Sequence, residues 1–362
     1  MNILVLESYY GGSHKAFLAG LSTHLPYSFD LLTLPAHSWK WRMRLAAPYF
    51  ADVLTNDPSY ADKKYERIFC SSLVDVAALR GLLPKYLRDI PILTYFHENQ
   101  FAYPVQISDA RDVHFGLTNL TTALASDRLA FNSQYNLDSF LAGCRDLLAK
   151  MPDMSLAGYE ASIRDKATIL YPGLDFSTID SCRHDTQTGR VPVLVWNHRW
   201  EHDKNPELFF ETLYELAAQG GSFGLIVLGE SFKTRPKVFA QAQERLAERI
   251  VHFGYAKDYR EYCRLLCRGD IVVSTAKHEF YGIAVLEAVR AGCRPLVPDR
   301  LSYRELFAPA FRYEEADFAR QLRSAIGAAE RLKQQDANIL TDRFSWPVLA
   351  HSYRQWFEEE NA

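Results

Sequence analysis

Short apolar runs alternate with amphipathic stretches along most of the chain. In the first half the runs fall at residues 3–6, 29–33, 67–71, 92–96, 128–132 and 168–171. Several are apolar without alternation, the pattern of strands covered on both faces. Alternating with helical patterns, they predict βαβ units around a parallel sheet. After Tyr171 the pattern changes. Pro172 and Gly173 lead into a polar stretch over 177–190, which is read as a linker. A second series of runs then falls at 191–196, 224–228, 250–253, 271–274 and 294–297. A helix is predicted over 206–219, where Pro206 suits the first turn. The last segment, 346–359, is amphipathic, with Val348, Leu349, Tyr353, Trp356 and Phe357 as its apolar positions. The chain therefore reads as α/β, with two doubly wound domains in tandem. Their expected bounds are 1–175 and 190–345, with 346–362 as a helix packing back on the first. In such sheets ligands bind at the carboxyl ends of strands, and two facing domains make a cleft.

Composition narrows the function. The chain has 362 residues, and 41 Lys and Arg against 44 Asp and Glu give a net charge of −3. No global positive field attracts nucleic acid or an anionic membrane, so any such contact needs a local patch. No apolar run approaches the ~20 residues of a membrane span. The start, MNILVLESYY, lacks the basic residues and cleavage site of a signal peptide. Cys70, Cys144, Cys182, Cys263, Cys267 and Cys293 are scattered, with one C-x3-C and no second pair. Reduced thiols fit better than a zinc knuckle. A soluble, cytoplasmic protein with no membrane contact and no evident protein partner is expected.

The candidate chemistry sits where strands end. The first strand runs into Gly11, Gly12, Ser13, His14 and Lys15. Two glycines let backbone N–H groups approach a ligand, and a helix N-terminus favours an anion, though a tight turn capped by Ser13 would look the same. His97, Glu98 and Asn99 follow directly on a buried strand, which aims them at the cleft rather than the core. Arg199 and Lys204 follow the first strand of the second series, five positions apart. Both cations converge on one diphosphate in this reading; a solvated charged loop is the bland alternative. Glu279 and Glu287 stand either side of Gly282, which opens a helix whose Ile283 and Ala284 N–H groups face a phosphate. A sugar-diphosphate-nucleoside needs such a set: one carboxylate for sugar hydroxyls, dipoles for phosphate, another carboxylate for ribose.

Taken together, the Gly-Gly turn, His97, Arg199, Lys204 and Glu279-x7-Glu287 resemble the retaining glycosyltransferases of GT-B fold, in the family-four group. The strings LESYYGGSHKAF, LPAHSWKWRMR, YFHENQFAYPV, FNSQYNLDSF, WNHRWEHDKNPE and STAKHEFYGIAVLEAV resemble the tRNA-queuosine α-mannosyltransferase family. The similarity covers almost the whole chain apart from the stretch around 177–190. It implies two Rossmann-like domains facing across a cleft, and mannose transfer from GDP-mannose to the cyclopentenediol of queuosine in an aspartate tRNA anticodon, with the α configuration kept. It also implies roles. Gly11 and Gly12 would approach donor phosphate or acceptor, and His97 would lie beside the transferred sugar. Arg199 and Lys204 would bind the diphosphate, Glu279 the sugar hydroxyls, and Glu287 the ribose. No metal or other cofactor is implied, because cations and the helix end neutralise the leaving group.

On the acceptor side, Trp39, Lys40, Trp41, Arg42 and Arg44 interleave aromatic rings with cations, a stacking-plus-phosphate combination suited to an anticodon loop. An amphipathic helix start with buried Trp residues is the competing reading. Ser13, His14, Glu98 and Asn99 complete the acceptor candidates, and Phe101 and Tyr103 offer the next stacking surface. Alternative functions are a GT-B enzyme with another nucleotide-sugar and a small-molecule acceptor, a nucleotide-sugar epimerase, or a non-catalytic tRNA- or sugar-binding protein.

Overall fold

A computed structural model describes residues 1–103, 112–150, 153, 155–183, 191–230, 236–328 and 331–359. The chain divides into two compact units, Met1–Gly173 with Trp346–Ala362, and Leu174–Ser345. Each is built on one six-stranded sheet whose pairings are all parallel.

The strands of the first unit are β1 (Asn2–Tyr10), β2 (Ser28–Pro35), β3 (Arg67–Ser71), β4 (Ile92–Phe96), β5 (Arg128–Phe131) and β6 (Ala167–Ile169). Their order is β2-β1-β3-β4-β5-β6. β1 and β4 carry unbroken runs of buried residues because helices cover both faces. The order reverses between β1 and β3, and the carboxyl ends of those strands open the crevice where doubly wound sheets bind ligands.

The helix Trp346–Glu358 belongs to this first unit. Its Trp346, Leu349, Tyr353, Trp356 and Phe357 join Phe17, Phe69 and Tyr95 in one buried cluster. Tyr353 donates to the Tyr171 carbonyl at 2.9 Å. The Trp346 indole lies so close to Gly20 and Gly173 that a Cβ there would meet it at 2.1 and 2.2 Å. Only glycine admits that ring.

The second unit holds β7 (Val193–Asn197), β8 (Gly224–Leu228), β9 (Ile250–Gly254), β10 (Ile271–Val273), β11 (Arg294–Pro298) and β12 (Arg312–Tyr313), ordered β12-β11-β10-β7-β8-β9. This is the dinucleotide-fold order, with the reversal between β7 and β10. Its core packs Trp196, Trp200, Phe209, Phe210 and Phe239, with the Trp200 and Phe239 rings stacked at 4.3 Å. The stretch read as a linker departs from that expectation: Ser177–Cys182 is a helix that buries Ile179 and Cys182. Two apolar side chains on one face suffice to dock a short helix. The remainder, 184–190, lies outside the described residues. All six cysteines are buried free thiols. No described helix is long and apolar enough to cross a membrane.

Candidate active site

In the first unit β1 ends in a turn that brings its backbone close to the next segment. Gly11 lies against Ala36, where a Cβ would approach to 2.4 Å, and Gly12 takes φ +50, a region that favours glycine. Gly11 occupies the cap position of the helix Gly12–His24 without a side-chain cap; Ser13 does not cap it and is exposed. His14, one turn in, is buried.

His14 does not stand alone. Its Nδ1 lies 3.1 Å from Oε2 of Glu7, a fully buried residue on β1. The other Glu7 oxygen accepts from the Tyr9 N–H at 2.7 Å and the Ser71 hydroxyl at 3.0 Å. Burial alone would push the His14 pKa down, but the Glu7 carboxylate overrides it and raises it to about 10. The His97 ring stacks on His14 at 4.0 Å. Burial, with the charged His14 beside it, keeps His97 neutral well below its usual pKa, and its buried Nε2 has no hydrogen-bond partner. Glu98 Oε2 stands 3.9 Å from His14 Nε2.

Asn99 is fully buried. Its amide donates to the Asn136 carbonyl, the Asn136 side chain and Ser139, and its oxygen accepts from the N–H groups of Phe101 and Ala102. Both ends are engaged in shaping the loop after β4.

Glu7, His14 and His97 are also the group of potential metal ligands found among the described residues, their donor atoms within 4.8 Å of one another. Zinc takes imidazole nitrogens at about 2.0–2.1 Å in the ring plane. Two rings 4.0 Å apart and tilted by only 31° do not aim their lone pairs at one point. Both Glu7 oxygens are moreover already engaged, by His14, Tyr9 and Ser71. Proton sharing suits the geometry better than ligation.

The aromatic-basic segment forms the start of the helix Trp39–Asn56. Its two Trp residues differ. Trp39 packs on Phe115 at 5.1 Å and Tyr103 at 5.9 Å, whereas Trp41 is 63% exposed. Leu45 and Tyr49 continue the exposed face of Trp41 at four-residue spacing. Arg44 is held by Asp112 at 2.7 Å, Arg42 contacts His37 at 3.2 Å, and Lys40 is exposed beside the Trp39 ring.

In the second unit the site residues gather at the β7–β10 reversal. Lys204, in a short turn that follows β7, is buried. Its ammonium donates to the His278 carbonyl at 2.7 Å and lies 3.3 Å from Glu279 and 3.2 Å from Asp203. Burial would lower the Lys204 pKa, but the two carboxylates raise it. Burial would likewise raise Glu279, but Lys204 holds it below the usual carboxylate range. Lys204 thus reaches three acceptors of the protein itself, and it meets a diphosphate directly only by exchanging one. Arg199 is half-exposed, 3.1 Å from Glu201, and is the more accessible cation. His198 is buried, and burial, with the Lys204 charge beside it, lowers its pKa to about 4.

Gly282, at φ +110, caps the helix Ile283–Arg290, a conformation that L side chains rarely adopt. Within that helix the N–H groups of Val285 and Leu286 reach the Gly282 carbonyl. Those of Ile283 and Ala284 precede any possible partner within the helix. Glu287 is held by two tyrosines of the helix Tyr259–Cys267, with Tyr262 donating to it at 2.6 Å and Tyr259 at 3.1 Å. Burial raises its pKa, and the tyrosine hydroxyls oppose that shift. Asn197 ties Tyr262 to the helix by donating to its hydroxyl at 2.7 Å and to the Ala284 carbonyl at 3.1 Å. Glu7, Ser71, Asn197, Tyr259 and Tyr262 did not stand out in the sequence, because each gains meaning only from a partner on another element.

Two parallel doubly wound units with a cation, a carboxylate pair and a capped helix at one reversal point define a glycosyltransferase. The comparisons with known proteins agree. Residues 184–339 match the family described as Glycosyl transferases group 1. Sucrose-phosphate synthase from Thermosynechococcus elongatus superposes with a TM-score of 0.71 at 16% identity, covering 99% of both chains. HepE of Anabaena in complex with UDP gives 0.68 at 14%, again over 99% of both. Residues 2–174 match the family described as tRNA-queuosine alpha-mannosyltransferase N-terminal. A Drosophila melanogaster protein named tRNA-queuosine alpha-mannosyltransferase is 35% identical over 375 residues, covering 100% of this chain and 97% of its own. The chain belongs to the tRNA-queuosine α-mannosyltransferase family. A further relative, GDP-mannose:cellobiosyl-diphosphopolyprenol alpha-mannosyltransferase of Xanthomonas campestris, is 23% identical over 62% of this chain and 56% of its own.

Proposed function

We propose that this glycosyltransferase moves mannose from GDP-mannose to the cyclopentenediol of queuosine at the wobble position of an aspartate tRNA, retaining the α configuration. The observation that carries the reading is the match of residues 2–174 to a family unit defined by that activity, in a chain similar along its whole length to a relative of that name. The name of the Xanthomonas relative adds support for a GDP-mannose donor.

The roles follow from the local chemistry. The Ile283 and Ala284 N–H groups and the Arg199 guanidinium take the diphosphate, and their positive ends stabilise the charge that develops on the leaving group. Lys204 keeps Glu279 ionised, so that its carboxylate accepts from sugar hydroxyls. Glu287, fixed by Tyr259 and Tyr262, retains lone pairs for the ribose diol. Charge neutralisation is assigned to these groups without a metal or other cofactor. In the first unit, Gly11, Gly12 and His97 are the groups assigned to the acceptor side of the reaction. Lys40, Trp41 and Arg42, with Arg44 released from or shared with Asp112, meet the anticodon arm. A reaction between tRNA and a soluble donor supports a cytoplasmic location.

A donor panel tests the reading. Titration calorimetry with GDP, GDP-mannose, UDP and UDP-glucose is expected to show binding of the guanine nucleotides at least tenfold tighter. Equal or tighter binding of the uridine nucleotides would overturn the donor assignment.

A further inference from the structure

Glu7 is a full charge on a strand covered on both faces, and burying a carboxylate is unfavourable unless it is paired. It is paired, but the pairing is not closed. The Tyr9 N–H, the Ser71 hydroxyl and His14 Nδ1 all converge on Glu7. A purely structural pair would also satisfy the far side of the imidazole. Here the far side of the His14 ring faces Glu98, with Nε2 and Oε2 3.9 Å apart, a loose pairing with room to take in another group. Beside it, the buried Nε2 of His97 lacks any partner. A buried polar atom left open beside a loosely paired one, at the carboxyl end of a sheet and next to the strand reversal, is the mark of a ligand position.

We propose that His14 and Glu98 form a subsite for a substrate hydroxyl, and that Glu7 is the positioning residue that fixes and charges His14 for it. An alcohol oxygen between them accepts from His14 Nε2–H and donates its own proton to the Glu98 carboxylate. Such a pairing selects an alcohol over an ether or a carbonyl, since only a hydroxyl does both. Resting on the function proposed above, it assigns one hydroxyl of the acceptor diol to this point. The neutral His97 ring stacked on His14 leaves the positive charge on His14 alone. The groups that face the Glu7 and His14 pair are Tyr9 of β1, Ser71 of β3 on the Glu7 side, and His97 and Glu98 after β4. With Glu7 charged behind it, His14 stays protonated across neutral pH, its pKa raised to about 10.

The test uses the full chain with two variants, E7Q and E98Q, and two measurements. Imidazole NMR should show His14 protonated from pH 6 to 9 in the wild type, and neutral over that range in E7Q. Steady-state kinetics on queuosine-containing tRNA should show the acceptor KM raised about ten- to a hundredfold in both variants, with the donor KM unchanged. For E7Q the deficit should shrink toward acid pH, as the unpaired ring regains its proton. A wild-type His14 that titrates near 6.5 would overturn the proposal, as would an unchanged acceptor KM in E98Q. If E7Q does not fold, E98Q and the wild-type titration decide. If the wild type transfers nothing to this tRNA, the proposed acceptor falls, while the His14 titration still judges the charged pair by itself.

Discussion

Lys204 offers the sharpest perturbation, because its removal leaves two largely buried carboxylates around a buried site without their counter-charge. Its ammonium lies 3.3 Å from Glu279 and 3.2 Å from Asp203, and the Lys204 side chain is 7% exposed. Breaking such a pair by truncating one partner costs about 3–5 kcal/mol. In a unit of this size each kcal/mol moves the transition by roughly 2–4 °C, so Lys204→Ala should lower the Tm of the second unit by about 10 °C. The pH dependence follows from Glu279. In the wild type its folded pKa lies below the usual 4.5, so its contribution is present above 4.5 and is lost as the pH falls through the folded value. Without Lys204, burial lifts that pKa above 4.5, and the uncompensated charge is relieved as the pH falls. The gap between variant and wild type should therefore narrow from pH 7 to pH 5. The double variant Lys204→Ala with Glu279→Gln should recover about 1–3 kcal/mol of the loss. Scanning calorimetry at both pH values, with the full mutant cycle, measures each of these. A shift under about 2 °C, or a double variant no better than the single one, would refute the buried pair.

Glu287→Ala should weaken GDP binding itself, whereas Glu279→Gln should mainly reduce turnover of GDP-mannose; calorimetry and rate assays giving equal effects on both would contradict the split between ribose and sugar. Replacing Lys40, Arg42 and Arg44 with alanine should weaken tRNA binding with GDP affinity unchanged, and flatten the slope of log affinity against log salt by about 0.7–0.9 for each phosphate no longer neutralised. Because Arg44 is tied to Asp112 and Arg42 to His37, the summed change should fall short of the value for three phosphates. Unchanged tRNA affinity in a folded triple variant would move the acceptor surface to Phe101 and Tyr103.

The parallel sheets were legible because their strands are apolar on both faces. β3, β4 and β8 have the bounds read from the runs, since the apolar residues stop where the strand stops. β1 runs on to Tyr10, four residues beyond its apolar run, because Glu7 and Ser8 lie buried within it as polar core rather than ending it. β12 is two residues long and leaves no period to detect. The helix Ser177–Cys182 escaped because only Ile179 and Cys182 mark its buried side.

For the site, local motifs identified what one turn can hold: Gly282 with Ile283 and Ala284, and the Glu279 to Glu287 spacing. They did not reveal which partner each charge takes. In sequence Glu7 merely follows the apolar run 3–6, whereas its partner Ser71 lies 64 positions away and His14 seven. Asn99 read as a ligand because it follows a strand, but its amide is spent on Asn136, Ser139 and the loop backbone. Trp39 and Trp41 look alike in sequence. Only the packing of Phe115 and Tyr103 on Trp39 separates a core ring from an exposed one.

The most direct measurement compares two aspartate tRNAs that differ only at the wobble base, one carrying queuosine and one carrying unmodified guanosine. Each is incubated with the purified protein and GDP-mannose, digested to nucleosides and analysed by mass. Queuosine should be converted to a species heavier by one anhydro-hexose, with GDP released in equal amount, and the guanosine tRNA should be untouched. Hexose on neither tRNA, or equally on both, would contradict a queuosine mannosyltransferase.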